Sequence, residues 1–286
     1  MSYKAIFAIA AGQDWELEPM DVKTAFLYGD VEEDIYVIQP EGFESAGKEG
    51  LVCKLKKALY GLKQSPRVWY NTLSTYLKEL GFDTLSADLS VFTNGTTIIA
   101  IYVDDILLAG PNKSQIQDLK AKFYTRFEMT DLGSCTYYLG MTMTRDRAIR
   151  IIRLGQAGYV EKFIQDHGMW DAAKSTPTPM GNEKYQASDE DHKATDAFRT
   201  QYQSAVGSLM YAMMGTRPDI AYAVSVVSRY GSNPNDEHWK AVKRIFRYLR
   251  STINLQLTFR GALKPLSGYT DVDWAGDQDT RRSTST

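Results

Sequence analysis

The sequence predicts an α+β fold, with antiparallel strands backed by helices and a largely helical remainder. Three observations predict it. Residues 15–22 alternate, Trp15 and Leu17 against Glu16 and Glu18, which is the period of a half-buried strand. Residues 98–109 are apolar on both sides of Asp104-Asp105, as in a hairpin whose strands are buried on both faces. Residues 65–80 and several stretches beyond 199 carry apolar side chains at helical spacing.

Each element follows in order. In 15–22, Asp21 shares parity with Trp15 and Leu17 and so points toward the apolar side. Ser65-Pro66 reads as the N-cap and first turn of a helix with Trp69, Leu73, Tyr76, Leu77 and Leu80 as its stripe, ended by Gly81. The hairpin from Thr97 to Ala109 precedes a helix with Ile116, Leu119, Phe123 and Phe127 on one face. Tyr137 to Met143 and Ile149 to Leu154 read as a second hairpin, followed by a helix from Gln156 to His167. Asp171 to Thr200 is rich in Pro, Ser, Thr, Asp and Lys and reads as a linker or surface segment. Helices are expected at Arg199–Met214, Pro218–Tyr230 and Asp236–Arg250, with a last strand beginning at Leu266 to Tyr269.

Composition bounds the function. A chain of 286 residues with 43% hydrophobic content can bury a sizeable core. No apolar run is long enough to span a bilayer, and residues 1–12 carry no processing pattern of a signal peptide. Cys53 and Cys135 fit no metal or redox spacing and read as core thiols, which favours a reducing compartment. His167, His192 and His238 are scattered, which argues against a histidine-based metal site. The net charge of −2 does not mark a nucleic-acid binder, but cations cluster at Lys54, Lys56, Lys57, Lys63 and Arg67 and again from Lys240 to Arg250. On the last helix Lys240, Lys243, Arg244, Arg247 and Arg250 fall on one side, clear of Trp239, Val242, Ile245, Phe246 and Leu249. This is either a solvated face or a phosphate-binding one.

Two adjacent acids between buried strands are the most informative feature. Their mutual repulsion and burial both oppose ionisation, which makes sense if a divalent cation sits there. The alternative is an exposed acidic turn. A third acid, Asp21, ends a strand on the apolar parity and is followed by Val22-Lys23-Thr24-Ala25-Phe26.

At this point the sequence resembles the reverse transcriptases of copia-type LTR retrotransposons. Asp21 to Phe26 resembles their first catalytic motif and Tyr102-Val103-Asp104-Asp105 the third, while Leu59-Tyr60-Gly61-Leu62-Lys63-Gln64-Ser65-Pro66 looks like the second. Gln39 to Phe43, Gly207 to Tyr211, Thr216 to Ile220 and His238-Trp239 belong to the same pattern, in order along nearly the whole chain.

The resemblance implies an RNA-directed DNA polymerase. It implies two Mg²⁺ ions, with Mn²⁺ the alternative, held by Asp21, Asp104 and Asp105 and by the carbonyl of Val22. It implies a nucleotide pocket lined by Phe26, Gly61, Gln64, Ser65, Pro66 and Tyr102, with Phe26 as the gate against a ribose 2′-hydroxyl. Leu139-Gly140 resembles the primer grip. Lys63, Arg67 and the cations of the last helix would meet nucleic acid. The partners implied are an RNA template, a DNA primer, deoxynucleoside triphosphates and the integrase and RNase H of a Pol polyprotein, with no membrane; the place implied is the cytoplasm, in a virus-like particle, or the nucleus.

The same resemblance divides the chain into a palm with a fingers remnant (1–135), a primer-grip hairpin and thumb helix (136–180), a helical thumb or connection (181–260) and the start of an RNase H-like domain (261–286). That start carries Asp271 as the first metal carboxylate. Where the family has basic fingers before the first motif, only 1–11 precedes Gly12, with Lys4 as its one cation. Little synthesis by this chain alone and no RNase H activity are therefore expected. The rival readings are a degenerate, inactive retroelement fragment that only binds nucleic acid, and an unrelated metal-dependent phosphohydrolase.

Overall fold

The computed structural model describes residues 2–171, 175–189 and 191–261, and beyond these 265, 267–270, 274, 281 and 283. Helix and antiparallel sheet are mixed, as expected, and the chain divides into two compact units. The first comprises residues 1–135 with 147–150 and 260–262, and the second holds the rest.

The first unit opens on α1 (Ser2–Gln13) and continues through β1 (Glu16–Val22), a short 3-10 turn (Ala25–Tyr28), β2 (Tyr36–Ile38) and β3 (Val52–Lys54). It goes on through α2 (Ser65–Glu79), β4 (Asp83–Leu85), β5 (Asp88–Thr93), β6 (Ile98–Tyr102), β7 (Asp105–Gly110), α3 (Lys113–Arg126) and β8 (Met129–Asp131). Six strands form one antiparallel sheet in the order β4-β5-β6-β7-β1-β8, and β2 and β3 pair separately. The helices α2 and α3 cover one face. Trp69, Leu73, Leu77, Ile116, Leu119 and Phe123 pack there against Met20, Val22, Phe92, Ile99, Ile106 and Leu108. On α2, Ser65 does not serve as N-cap, contrary to expectation. Gln64 holds that position, and the buried Ser65 hydroxyl donates to the Leu59 carbonyl at 2.6 Å, tying down the loop before the helix.

The strand β1 is not half-buried. It lies between β7 and β8, and Leu17 through Met20 are all buried. The reason is α1, which packs against β7 and covers the sheet's second face with Ile6, Phe7 and Ala10. With both faces closed, Glu18 sits under α3 at 7% exposure. Lys120 of α3, itself buried, reaches both Glu18 and, at 2.7 Å, Asp131, while Gln117 donates to Glu18 at 2.9 Å. Burial pulls the Lys120 ammonium down, but its bonds and charges with Asp131 and Glu18 outweigh this and leave it above the ordinary lysine value. Hydrogen bonding to Lys120 holds Asp131 below the usual carboxylate range.

The second unit begins with β9 (Tyr137–Tyr138), β10 (Met141–Asp146) and β11 (Ile151–Gly155), followed by α4 (Ala157–Asp166). Residues 175–189 carry no regular element. The helices α5 (Asp196–Gly215), α6 (Ala221–Ser228) and α7 (Asp236–Ser251) then pack with α4 around Tyr202, Leu209, Val224, Ile245 and Phe246. The strand β12 (Leu257–Arg260) closes a four-stranded sheet of order β12-β11-β10-β9.

Two expectations change here. Tyr137 to Met143 is a tight hairpin by itself, so the region holds two hairpins where one was expected. Among the described residues the last strand is 257–260; residues 267–270 have no regular structure, and Leu266 lies outside the described residues. The thiols also differ, for Cys53 is exposed and only Cys135 is buried, its thiol pushed up to about 12 by burial.

Removing the Lys120 amine should be costly, because Glu18 would stay buried without its cation. Lys120→Ala should lose about 3–5 kcal/mol in urea unfolding, and the pair Glu18→Gln with Lys120→Met should recover most of it. Asp131, whose folded-state pKa is depressed, contributes stability above its unfolded value that is lost as pH falls through the folded one. The acid side of the stability profile should therefore become shallower in Asp131→Asn.

Candidate active site

The three acids of the sequence motifs meet at one end of the six-stranded sheet. The register pairs Asp21 of β1 directly with Asp105 of β7. Residues opposite each other in an antiparallel pair project to the same face, close enough to interact. The turn between β6 and β7 holds two residues, Val103 and Asp104, because Tyr102 pairs with Asp105. The acids therefore do not share the turn, as the sequence suggested: Asp104 is in it, and Asp105 opens the next strand.

This turn is strained. Val103 has φ +59, left-handed backbone that a β-branched side chain adopts at a cost. Two bonds hold it. The buried Trp69 indole donates to the Val103 carbonyl at 2.7 Å, and the Val22 N–H donates to the Asp104 carbonyl at 2.9 Å. Thus α2 and β1 both clamp the turn that carries Asp104.

The electrostatics follow from this convergence. Burial, then the charge of Asp104, holds the Asp21 carboxyl above its ordinary range. The Asp105 carboxyl is raised by burial, then by Asp104 and Asp21. Among the described residues no group of three or more His, Cys, Asp or Glu side chains is arranged so as to hold a metal ion. The three adjoining carboxylates bring hard oxygen donors together, the donor type that divalent cations such as Mg²⁺ take, with water and phosphate oxygens completing the shell.

The other predicted residues are placed as follows. Phe26 is buried at 6% exposure within the helix-backed core, with its ring 4.4 Å from that of Tyr60. Tyr60 also donates from its hydroxyl to Asp104 Oδ2 at 3.2 Å. Tyr60 lies in the second motif, where the sequence assigns it no role of its own, and the chain turns beside it at Gly61, with φ of +95. Gln64 lies near Glu33, Ser65 is buried, and Pro66 and Tyr102 are exposed. Lys63 and Arg67 are exposed and pair with no described acid, whereas Lys54 and Lys57 are paired with Asp34 and Asp30.

In the second unit, Leu139 and Gly140 form a two-residue turn with φ of +46 and +77. The Tyr211 hydroxyl of α5 donates to the Leu139 carbonyl at 3.0 Å, and a Cβ at position 140 would lie 2.6 Å from that oxygen. The positive φ favours glycine there, and a Cβ would also have to push the Tyr211 hydroxyl off the Leu139 carbonyl. A cavity of about 730 Å³ opens beside it, lined by Gly140, Gln156, Tyr159, Ser208 and Tyr211 among others.

The cationic side of α7 is not an open stripe. Lys240 pairs with Glu237, one turn before it, at 2.6 Å. Arg244 reaches Thr178 and Glu183, and Arg250 donates to the Trp170 carbonyl. Lys243 and Arg247 are half-buried. Asp271 lies outside the described residues.

Comparison with known proteins fits this geometry. Residues 1–182 match the family described as reverse transcriptase (RNA-dependent DNA polymerase). The chain is 46% identical, over 99% of its length, to the retrovirus-related Pol polyprotein from transposon TNT 1-94 of Nicotiana tabacum, and covers 22% of that protein. It is 37% identical to the corresponding polyprotein from transposon RE1 of Arabidopsis thaliana, covering 99% of this chain and 19% of the relative. A transposon Ty5-1 protein of Saccharomyces cerevisiae is 33% identical over 93% of this chain and 86% of its own length. The chain thus spans about a fifth of the Pol polyproteins it matches.

The raised carboxyls give a test by pH. A carboxyl with a raised folded-state pKa favours the fold while protonated; that contribution is present below the unfolded value and is lost as pH rises through the folded one. In EDTA, Asp105→Asn should therefore gain thermal stability relative to the wild type as pH rises from about 4 to 7. A difference between the two that stays flat with pH would show that the acids do not repel one another as described.

Proposed function

This chain belongs to the reverse transcriptase (RNA-dependent DNA polymerase) family, as the domain found in copia-type Pol polyproteins, and on that footing we propose that it synthesises DNA on an RNA template. The observation that carries the proposal is the register of Asp21 opposite Asp105 with Asp104 in the adjoining turn. Retention of all three acids at one end of the sheet favours synthesis over mere binding of nucleic acid.

In this reading Asp21, Asp104 and Asp105, with the Val22 carbonyl, hold two Mg²⁺ ions. When bound, these supply a lowered pKa at the primer 3′-hydroxyl and charge stabilisation on the transferring phosphoryl group. The protein's own part is positioning. The clamped turn fixes the backbone of Asp104 beside Asp21 before any nucleotide arrives, which reduces the reorganisation needed at the moment of reaction. The Phe26 ring, backed by core, presents a rigid wall to the ribose and disfavours a 2′-hydroxyl. Gly61, Gln64, Ser65, Pro66 and Tyr102 frame the nucleotide, and the sheet with α2 and α3 is the palm. The turn of Leu139 and Gly140, pinned by Tyr211, is the primer grip, and the helices of the second unit are the thumb and connection. Exposed Lys63 and Arg67 meet template phosphates; on α7 that role falls to Lys243 and Arg247. Template RNA, primer DNA and deoxynucleoside triphosphates are the substrates, and the integrase and RNase H of the polyprotein are the neighbours. No described helix is long and apolar enough to cross a membrane.

Primer extension on an RNA template tests this. A polyprotein carrying this chain should extend with Mg²⁺, and Asp104→Asn should reduce extension to background while circular dichroism is unchanged. Extension at the wild-type rate in Asp104→Asn would overturn the assignment. Lys63→Gln with Arg67→Gln should make the log–log salt dependence of template–primer binding shallower by about 1.5–2 units if each cation meets one phosphate. Little sequence preference should be lost, since phosphate contacts position without specifying.

A further inference from the structure

Tyr60 has no part in the reading above, and its environment is unusual for a residue at 56% exposure. Its ring is held against Phe26, with centroids 4.4 Å apart and planes at 53°. Its hydroxyl donates to Asp104 Oδ2 at 3.2 Å. Among the described residues no other side chain donates to that carboxylate. The loop that carries Tyr60 is itself anchored, because the buried Ser65 hydroxyl binds the Leu59 carbonyl.

Asp104 needs such a partner more than its neighbours do. Asp21 and Asp105 are strand residues with paired backbones, whereas Asp104 lies in a two-residue turn. The Val22 N–H fixes its backbone carbonyl but not its side chain. Repulsion from two adjacent carboxylates would swing a free Asp104 carboxylate outward to water. The phenol opposes that swing. It engages one oxygen and leaves the other open, and a carboxylate has about four lone-pair sites to share.

We infer that Tyr60 is a positioning residue for Asp104: its hydroxyl orients the carboxylate toward Asp21 and Asp105, and its tilted packing against Phe26 keeps the hydroxyl in place. The inference rests on the reading of the three acids as divalent-ion ligands. Partners of this kind, hydrogen-bonded to a ligating group, typically change ion affinity by about 10–100-fold when removed.

Tyr60→Phe isolates the effect, since the ring and its contact with Phe26 are kept and only the hydroxyl is lost. Mn²⁺ serves as the probe, its free concentration followed by electron paramagnetic resonance during titration of the 286-residue chain without nucleotide. The dissociation constant should rise about tenfold in Tyr60→Phe, with the thermal midpoint in EDTA unchanged. In primer extension the half-saturating Mg²⁺ concentration should rise in parallel while KM for deoxynucleotide at saturating Mg²⁺ holds, a split that a general packing defect would not produce. Wild-type Mn²⁺ affinity in Tyr60→Phe overturns the inference. Asp104→Asn separates the two levels. If it weakens Mn²⁺ binding and Tyr60→Phe does not, only the role of Tyr60 falls. If Asp104→Asn binds Mn²⁺ like the wild type, or the wild type binds none, the reading of the acids falls and this inference with it.

Discussion

The site depends on the register between β1 and β7. Asp21 faces Asp105 only because Leu17 pairs with Ala109 and Met20 with Ile106 along the same ladder. A slip of one residue would turn every side chain of β1 to the opposite face. Met20 and Val22 would leave the helix-backed core, Glu18 would lose Lys120, and Asp21 would point away from Asp105. The hydrophobic pattern and the ion pair therefore enforce the pairing of the two acids, although like charges opposite each other destabilise a ladder. Stability in the core offsets a local conflict at the strand ends.

The turn concentrates further cost. Val103 in left-handed backbone and three adjoining carboxylates are each unfavourable. Their persistence follows from over-determination: Trp69 holds one carbonyl of the turn, Val22 the other, and Tyr60 the side chain between them. These three donors come from α2, β1 and the loop before α2, so no single element sets the geometry. Strain of this kind survives only where the surroundings leave no alternative.

In the second unit the polar residues of the family motifs act as structural ties. Arg217, at 2% exposure, is satisfied by Asp219 and by the carbonyl and hydroxyl of Thr252, and Tyr248 donates to Asp219 at 2.8 Å. His238 completes a capping box with Asn235 at the start of α7 and stacks on Tyr230, with ring centroids 3.9 Å apart. Tyr211 pins the Leu139 carbonyl. Motif residues that read as functional in a sequence thus serve here to join helices to one another and to the hairpin.

The sequence by itself determined the elements whose signals are local. The stripes of α2, α3 and α7, the apolar flanks of β6 and β7, and the identity of Asp21, Asp104 and Asp105 were all legible, because periodicity and adjacent charge are properties of a short window. Other features were not legible. The burial of β1 on both faces depends on α1, whose short apolar run does not announce what it covers. The pairing of Glu18 with Lys120 joins residues about a hundred positions apart. The strand β12 was missed because 257–260 is too short to show a period and acquires its identity only beside β11. Basic residues on α7 read as one open face, yet a segment dozens of residues away supplies Thr178, Glu183 and the Trp170 carbonyl to them. Tyr60 has no role legible in the sequence, because nothing near it says that its hydroxyl ends at Asp104. Only tertiary structure decided these, since each is a contact between elements, and burial, ion pairing and side-chain orientation are set by what packs across the chain.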